Sequence, residues 1–215
     1  MNIVVTGTAG GIGKAIAETF LRNGHSGIGF DLREGCIIHQ NYRHFVQDIR
    51  DEPLPVLNDI NILINNAGTL EESEAIDVNL TGTIRFTGQF VDDPALRSVL
   101  FIASASARNG AEFPLYVASK AGLVGYMKNL ALSLAGRGIT CNSISPGGVI
   151  THANRHILED ERLYAAVKAE TLLGKWAEPQ EVADLAYFLT VTNRSITGED
   201  ILIDNGEMLK SNFIW

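Results

Sequence analysis

Two periods organise the apolar residues of this chain. Short runs rich in Ile, Val and Phe, at residues 3–5, 28–30, 45–47, 60–64, 96–103, 139–144 and 200–203, read as strands. The longer segments between them repeat apolar residues every three or four positions and read as helices. The first covers residues 11–22 through Ile12, Ala15, Ile16, Thr19 and Phe20, and Asn23-Gly24 supplies a left-handed exit. The second, residues 71–89, places Ile76, Leu80, Ile84 and Thr87 on one side and carries Asn79, a mediocre interior helix residue, near its middle. A third is long and apolar, from Tyr116 to about residue 135. The last opens at Glu178-Pro179-Gln180-Glu181, with proline in its first turn and Val182, Leu185, Ala186 and Leu189 as its stripe. Strand and helix alternate throughout. The predicted class is therefore α/β, one domain over residues 1–215, with about seven strands. One interval breaks the rhythm, since residues 51–58 hold two prolines and no helical period.

The polar residues that carry chemistry fall where strands end. Thr6-Gly7-Thr8-Ala9-Gly10-Gly11-Ile12-Gly13 lies between the first strand and the first helix. Glycines there permit a sharp turn, close approach of backbone to a ligand and tight helix-on-strand packing, and the free N–H groups of the helix start receive negative charge. A dinucleotide pyrophosphate is expected here, a bare turn being the alternative. Asp31 follows the second strand, eighteen residues beyond Gly13, where a carboxylate accepts hydrogen bonds from ribose hydroxyls and repels a 2′-phosphate. The cofactor expected is NAD(H) in preference to NADP(H), with Arg33 two residues on as the one cation that could favour the phosphate. Asn65-Asn66-Ala67-Gly68 ends the fourth strand on the same edge, where Asn side chains tie strand backbones together or bond the cofactor's sugars. Ser104-Ala105-Ser106 ends the fifth. Tyr116 and Lys120 are spaced i, i+4, one turn apart on one helix face, so an ammonium can stabilise a phenolate and assist proton transfer.

Composition narrows the picture. With 46% apolar residues among 215, the chain can build one substantial core. A formal charge of −8 and pI near 5.1 give no basic footprint for nucleic acid or an anionic membrane. Cys36 and Cys141 are far apart and show no metal-ligand spacing, so no metal site and no disulfide framework are expected; Cys141 reads as an inward strand thiol. With no leader-like or membrane-length apolar run, a soluble cytoplasmic protein is expected. Residues 151–175 are polar and partly helical and form the candidate substrate lid, with His152, Arg155, His156 and Lys168 as basic residues that could face an anionic ligand or only solvent. Ala105, Asn109, Phe113, Leu115 and Gly148 are expected to frame a mostly apolar pocket.

Taken together, Thr6-Gly7-x-x-x-Gly11-Ile12-Gly13, Asn65-Asn66-Ala67-Gly68, Asn79, Ser104, Tyr116-x-x-x-Lys120 and Pro146-Gly147 resemble the motif set of the classical short-chain dehydrogenase/reductases, in the same order and over nearly the whole chain. The resemblance implies a Rossmann-like doubly wound sheet of about seven mainly parallel strands in the order 3-2-1-4-5-6-7, with helices on both faces, and a homotetramer or homodimer built through the Tyr116 helix and the C-terminal helix and strand. It implies that Tyr116 is general acid and base, that Lys120 favours the phenolate and holds the nicotinamide ribose, that Ser104 bonds the substrate oxygen, and that Asn79 holds a water leading from Lys120 to solvent. It places Asp48 and Ile49 at the adenine, Asn66 near the adenosine ribose, Thr151 at the carboxamide, and Gly7, Gly11, Ile12, Gly13, Ala67, Gly68, Pro146, Gly147 and Val149 around the rest of the cofactor. The chain departs from the pattern in several places, one of them a mild difference at the terminal strand's turn, Asp204-Asn205-Gly206. Ser104 precedes Tyr116 by twelve residues where thirteen is commoner, leaving Ser106 as the alternative, and the segments after Asp48 and after Gly68 are short. The implied activity is hydride transfer between NAD(H) and a secondary alcohol or ketone. A non-enzymatic NAD(H)-binding redox sensor is the alternative, and nucleotide-sugar dehydratase or epimerase chemistry is disfavoured by the short C-terminal region.

Overall fold

A computed structural model describes residues 1–209. Seven parallel strands form one sheet in the order β3-β2-β1-β4-β5-β6-β7. They are β1 (Asn2–Thr6), β2 (Ser26–Asp31), β3 (Tyr42–Val46), β4 (Ile60–Asn65), β5 (Ser98–Ile102), β6 (Thr140–Pro146) and β7 (Asp200–Ile203). Alternate strand residues point to opposite faces, so each face carries its own core. On one, Val4, Phe30, Leu63, Val99, Phe101 and Cys141 pack with Phe86, Phe90, Leu123, Met127 and Leu130. On the other, Ile3, Val5, Ile62, Ile64, Leu100 and Ile144 pack with Ile16, Phe20, Val182, Ala183 and Ala186. Helix α1 (Gly11–Arg22) covers the second face beside the later helix at Pro179–Tyr187, and Gly24, at φ +78°, turns the chain out of α1 as expected. No helix among the described residues is long and apolar enough to cross a membrane.

Two expected elements differ in detail. Strand β3 covers Tyr42–Val46, not 45–47. The reason is tertiary: Tyr42 lays its ring across Gly27 and Gly29 of β2, where a Cβ would collide with it, and its hydroxyl donates to Thr8 Oγ1 at 2.9 Å. The expected helix over 71–89 is α2 (Glu72–Ala75), a π segment (Ile76–Gly82) and α3 (Thr83–Gly88) in succession. The wide π turn shifts the phase of the stripe, so Ala75, Asn79, Thr83, Phe86 and Thr87 are buried while Ile76 is exposed. A short helix, α4 (Ser106–Asn109), which no apolar period announced, follows the end of β5. Residues 51–58 hold no helix, in keeping with their prolines. Helix α5 (Pro114–Leu134) begins two residues before Tyr116, with proline at its first turn. The expected lid contains α6 (Arg155–Leu158) and α7 (Glu161–Ala169), and α8 (Pro179–Tyr187) starts with a full capping box between Glu178 and Glu181.

Candidate active site

The sheet order reverses between β1 and β4, and a cleft of about 1030 Å³ opens at their C-terminal ends. The two strand ends are tied together. Thr6 Oγ1 accepts the backbone N–H groups of Asn66 (3.0 Å) and Ala67 (2.9 Å), and Asn66 Nδ2 donates to the carbonyls of Thr6 (2.9 Å) and Gly7 (3.3 Å). Asn66 is thus a brace for the glycine turn. Gly7 takes φ +77°, and a Cβ on Gly13 would overlap the Gly7 carbonyl oxygen and sit 2.5 Å from Asn66 Nδ2. Only glycine lets α1 begin so close to β1. No side chain caps α1, and Gly10, Gly11 and Ile12 line the cleft, leaving the helix's first N–H groups for an anionic ligand. This cradle fits a dinucleotide pyrophosphate.

Asp31, at the exit of β2, lines the same cleft; its Oδ2 accepts Ala9 N–H at 2.9 Å and its Oδ1 accepts Arg33 N–H at 3.0 Å. The largely exposed Arg33 guanidinium lies against Oδ1 at 3.4 Å. Asp48 and Ile49 lie farther along. Arg50, which the motif comparison passes over, grips Asp48 from Nη2 at 2.8 Å and reaches Glu74 (2.6 Å) and Asp77 (3.1 Å) through Nη1. Its guanidinium holds the Asp48 carboxyl below the usual carboxylate range and fastens this edge to α2, although no helix follows β3.

At the other end stand Ser104, Tyr116 and Lys120. Lys120 is buried and donates from Nζ to the Ile102 carbonyl at 3.0 Å, with Nζ 5.8 Å from the centroid of the Tyr116 ring. Burial pulls the ammonium down to about 8, opposed by the Glu112 carboxylate. Burial likewise pushes the Tyr116 phenol up to about 12, against a hydrogen bond from Ser104 that favours the phenolate. Desolvation is the largest influence on this phenol. Ser104 Oγ accepts both the Ser106 hydroxyl (2.8 Å) and the Ser106 N–H (3.2 Å), so its single proton remains for Tyr116 or a substrate oxygen. Of the two serines, Ser104 lines the cleft and Ser106 stands behind it.

Gly7, Gly11, Ile12, Asp31, Asp48, Ile49, Asn66, Ala67, Gly68, Ser104, Tyr116, Lys120, Pro146, Gly147, Val149 and Thr151 all line this cleft. Gly13 and Asn79 lie behind its wall. The Asn79 amide accepts Thr69 N–H at 2.7 Å and donates to Thr69 O (2.9 Å) and Ser119 Oγ (3.1 Å). Gly68 separates it from Lys120, since a Cβ there would meet Asn79 Oδ1 at 3.0 Å and Lys120 Nζ at 3.4 Å. The expected pocket residues Ala105, Asn109, Phe113, Leu115 and Gly148 do not line the cleft, and Gly148 is packed flat against Trp176. Glu112, His152 and Asn154 line it instead. Of the basic lid residues only His152 does so. Arg155 pairs with Glu159 at 2.5 Å and Lys168 lies over the Tyr164 ring at 4.5 Å. No spacing in the sequence marked Glu112, because the backbone of the loop before α5 brings it in.

A sequence model described as enoyl-(acyl carrier protein) reductase matches residues 46–207. The chain is 28% identical to the 3-oxoacyl-[acyl-carrier-protein] reductase of Salmonella typhimurium over 234 residues, which cover 94% of this chain and 95% of that protein. It is 26% identical to the L-rhamnose 1-dehydrogenase (NADP(+)) of Thermoplasma acidophilum over 97% of this chain and 96% of that one. A solved structure of 4-hydroxyisoleucine dehydrogenase complexed with NADH superposes with a TM-score of 0.83 at 26% identity, covering 98% of this chain and 99% of the other. With that match over most of its length and the seven-stranded parallel sheet, the chain belongs to the short-chain dehydrogenase/reductase family of oxidoreductases.

Proposed function

We propose that this protein interconverts a secondary alcohol and a ketone with NAD(H), using Tyr116 as general acid in reduction and general base in oxidation. The observation that carries the reading is the convergence of Ser104, Tyr116 and Lys120 in the cleft that begins at the α1 cradle. A nicotinamide cofactor, when bound, supplies or accepts the hydride. The chain's residues handle the oxygen and its proton. Ser104, with both lone pairs occupied, donates to the substrate oxygen and orients it; Tyr116, neutral near pH 7, gives that oxygen its proton. Lys120 holds the ribose hydroxyls and stabilises the phenolate left behind, and Asn79 orders the water by which Lys120 reaches solvent. The backbone cradle from Gly7 to Gly13 takes the pyrophosphate, with Pro146, Gly147, Val149 and Thr151 around the nicotinamide end.

The preference for NAD(H) rests on the Asp31 carboxylate in the cleft wall, which would repel a 2′-phosphate and which occupies the nearest cation, Arg33. NADH is expected to bind at least about tenfold tighter than NADPH, a difference near 1.4 kcal/mol, and Asp31→Ser to erase it. The test of function is NADH and NADPH oxidation over a panel of ketones, run beside Tyr116→Phe with cofactor binding titrated in the same samples. The variant is expected to lose turnover by roughly 100-fold or more while keeping its NADH affinity within about twofold. Full activity without the phenol would overturn the role of Tyr116. Tight NADH binding with no turnover on any ketone would point to the redox-sensor alternative.

A further inference from the structure

Strand β3 lies at an edge of the sheet, yet it carries two half-buried polar side chains that reach across β2 toward the glycine turn. Tyr42 and His44 are two residues apart, so they project from one face, and they pair in register with Gly27 and Gly29 of β2. The Tyr42 ring crosses the strand where those Cβ atoms are missing; a Cβ on Gly29 would collide with both Tyr42 Oη and Thr8 Oγ1. Tyr42 Oη donates to Thr8 Oγ1 at 2.9 Å, and the fully buried Thr8 hydroxyl stands 3.4 Å from His44 Nδ1. His44 Nε2 is 2.9 Å from the Arg33 carbonyl, which can only accept. Nε2 therefore carries a hydrogen, and Nδ1 of the neutral ring accepts from Thr8. The ring is seated against Gly35, where a Cβ would come 2.6 Å from Nδ1.

The ends of this network flank the grip on Asp31. Thr8 precedes Ala9, whose N–H donates to Asp31 Oδ2 at 2.9 Å. Arg33, whose carbonyl His44 holds, donates its own N–H to Oδ1 at 3.0 Å. Each carboxylate oxygen is thus fixed by backbone that a β3 side chain has tied down. Asp31, Arg33 and Ala9 line the cleft, whereas Tyr42, His44 and Thr8 do not.

We propose that Tyr42 and His44 are positioning residues for the adenosine end of the cofactor: by holding Thr8 and Arg33 they fix the direction of the Asp31 carboxylate, and through it the choice between NAD(H) and NADP(H). The inference rests on the reading of Asp31 given above, as the group that meets the ribose hydroxyls. With one N–H on each oxygen, the carboxylate keeps its remaining lone pairs for the cleft it lines. The same hold keeps the Arg33 guanidinium on Oδ1 at 3.4 Å, so this cation stays paired. Loosening either tie lets the carboxylate turn away and frees Arg33 for a 2′-phosphate. Both changes act in one direction, against NADH and toward NADPH.

The test measures dissociation constants for NADH and NADPH by fluorescence titration in wild type, Tyr42→Phe, His44→Ala and Asp31→Ser. Two double variants combine Asp31→Ser with each of the others, and thermal unfolding is followed in the same samples. Tyr42→Phe deletes one hydroxyl from an unchanged ring, and keeps the test open should His44→Ala fail to fold. Each β3 variant is expected to lower the ratio of NADH to NADPH affinity by roughly three- to tenfold, about the worth of one hydrogen bond. In the Asp31→Ser background neither is expected to move the ratio, because no carboxylate remains to be aimed. In the cofactor-free protein, 15N NMR of the His44 ring is expected to find a hydrogen on Nε2. A wild-type ratio in either folded variant, or a bare Nε2, would overturn the proposal. An equal loss of ratio in the Asp31→Ser background would do so as well, since the network would then be a structural support alone. If Asp31→Ser erases the preference while Tyr42→Phe keeps it, only the positioning role fails. If Asp31→Ser leaves the wild-type ratio, the reading of Asp31 fails first and the proposal falls with it.

Discussion

Lys120 is a buried cation, and its burial sets a balance between stability and chemistry. Its folded pKa, pulled to about 8, lies below the ordinary lysine value of 10.5 that the unfolded chain retains. Between those values the unfolded chain binds more protons, so this group makes stability rise with pH through that window. That displacement corresponds to roughly 3 kcal/mol of burial cost when the lysine is charged at pH 7. Lys120→Met fills the same space without the charge and is expected to stabilise the protein by about 1–3 kcal/mol at pH 7, while abolishing turnover. Melting temperature followed from pH 7 to 10 checks both parts, since the rise seen in wild type should be missing from the variant; an identical rise would assign it to other groups. The i, i+4 pairing of Tyr116 with Lys120 was legible from spacing because helical geometry is local. The upward displacement of the Tyr116 phenol was not, because it depends on what the remainder of the fold places above the ring.

At the scale of elements, the glycine turn is a tightly fitted construction. Its fit rests on Gly13 against the Gly7 carbonyl and on Asn66 reaching back from the end of β4. Gly13→Ala is expected to cost about 1–3 kcal/mol by overpacking and to weaken NADH binding by roughly tenfold or more, because the start of α1 must back away from β1. Thermal unfolding and a fluorescence titration of NADH measure these separately, and unchanged values in both would mean that the turn has slack. The turn was readable in the sequence because glycine's tolerance of positive φ belongs to the residue itself. The helix around Asn79 was readable only in outline. A 3.6-residue period placed Ile76 inward, whereas the π segment rotates it out and turns Phe86 in. The extra residue in that turn answers to the packing of Asn79 against Thr69 and Ser119, which lie on other segments.

For the whole molecule, α5 is apolar around much of its circumference, and Leu132 is 79% exposed on its outer side. A homo-oligomer formed through this helix, as the family resemblance implies, is a proposal that can be tested directly. Light scattering is expected to give a multiple of 23.3 kDa, and Leu132→Glu to shift the population toward the monomer. A monomeric wild type would remove that interface from the proposal. The sheet edge beside the site is held over long range as well: Asp200 of β7 accepts from Ser143, Ser145 and Arg108, the last of these on α4. Such ties join residues far apart in the chain, so no local period announces them. What the sequence determined by itself were the strands and helices with strong period, the glycine turn, the acid after β2 and the Tyr116/Lys120 pair, because each depends on backbone propensity or on spacing within one element. Tertiary structure decided the start of β3, the phase of the helix about Asn79, the clamp of Arg50 and the entry of Glu112 into the cleft. Those depend on which surfaces meet when the sheet closes, and on the burial that only the assembled fold supplies.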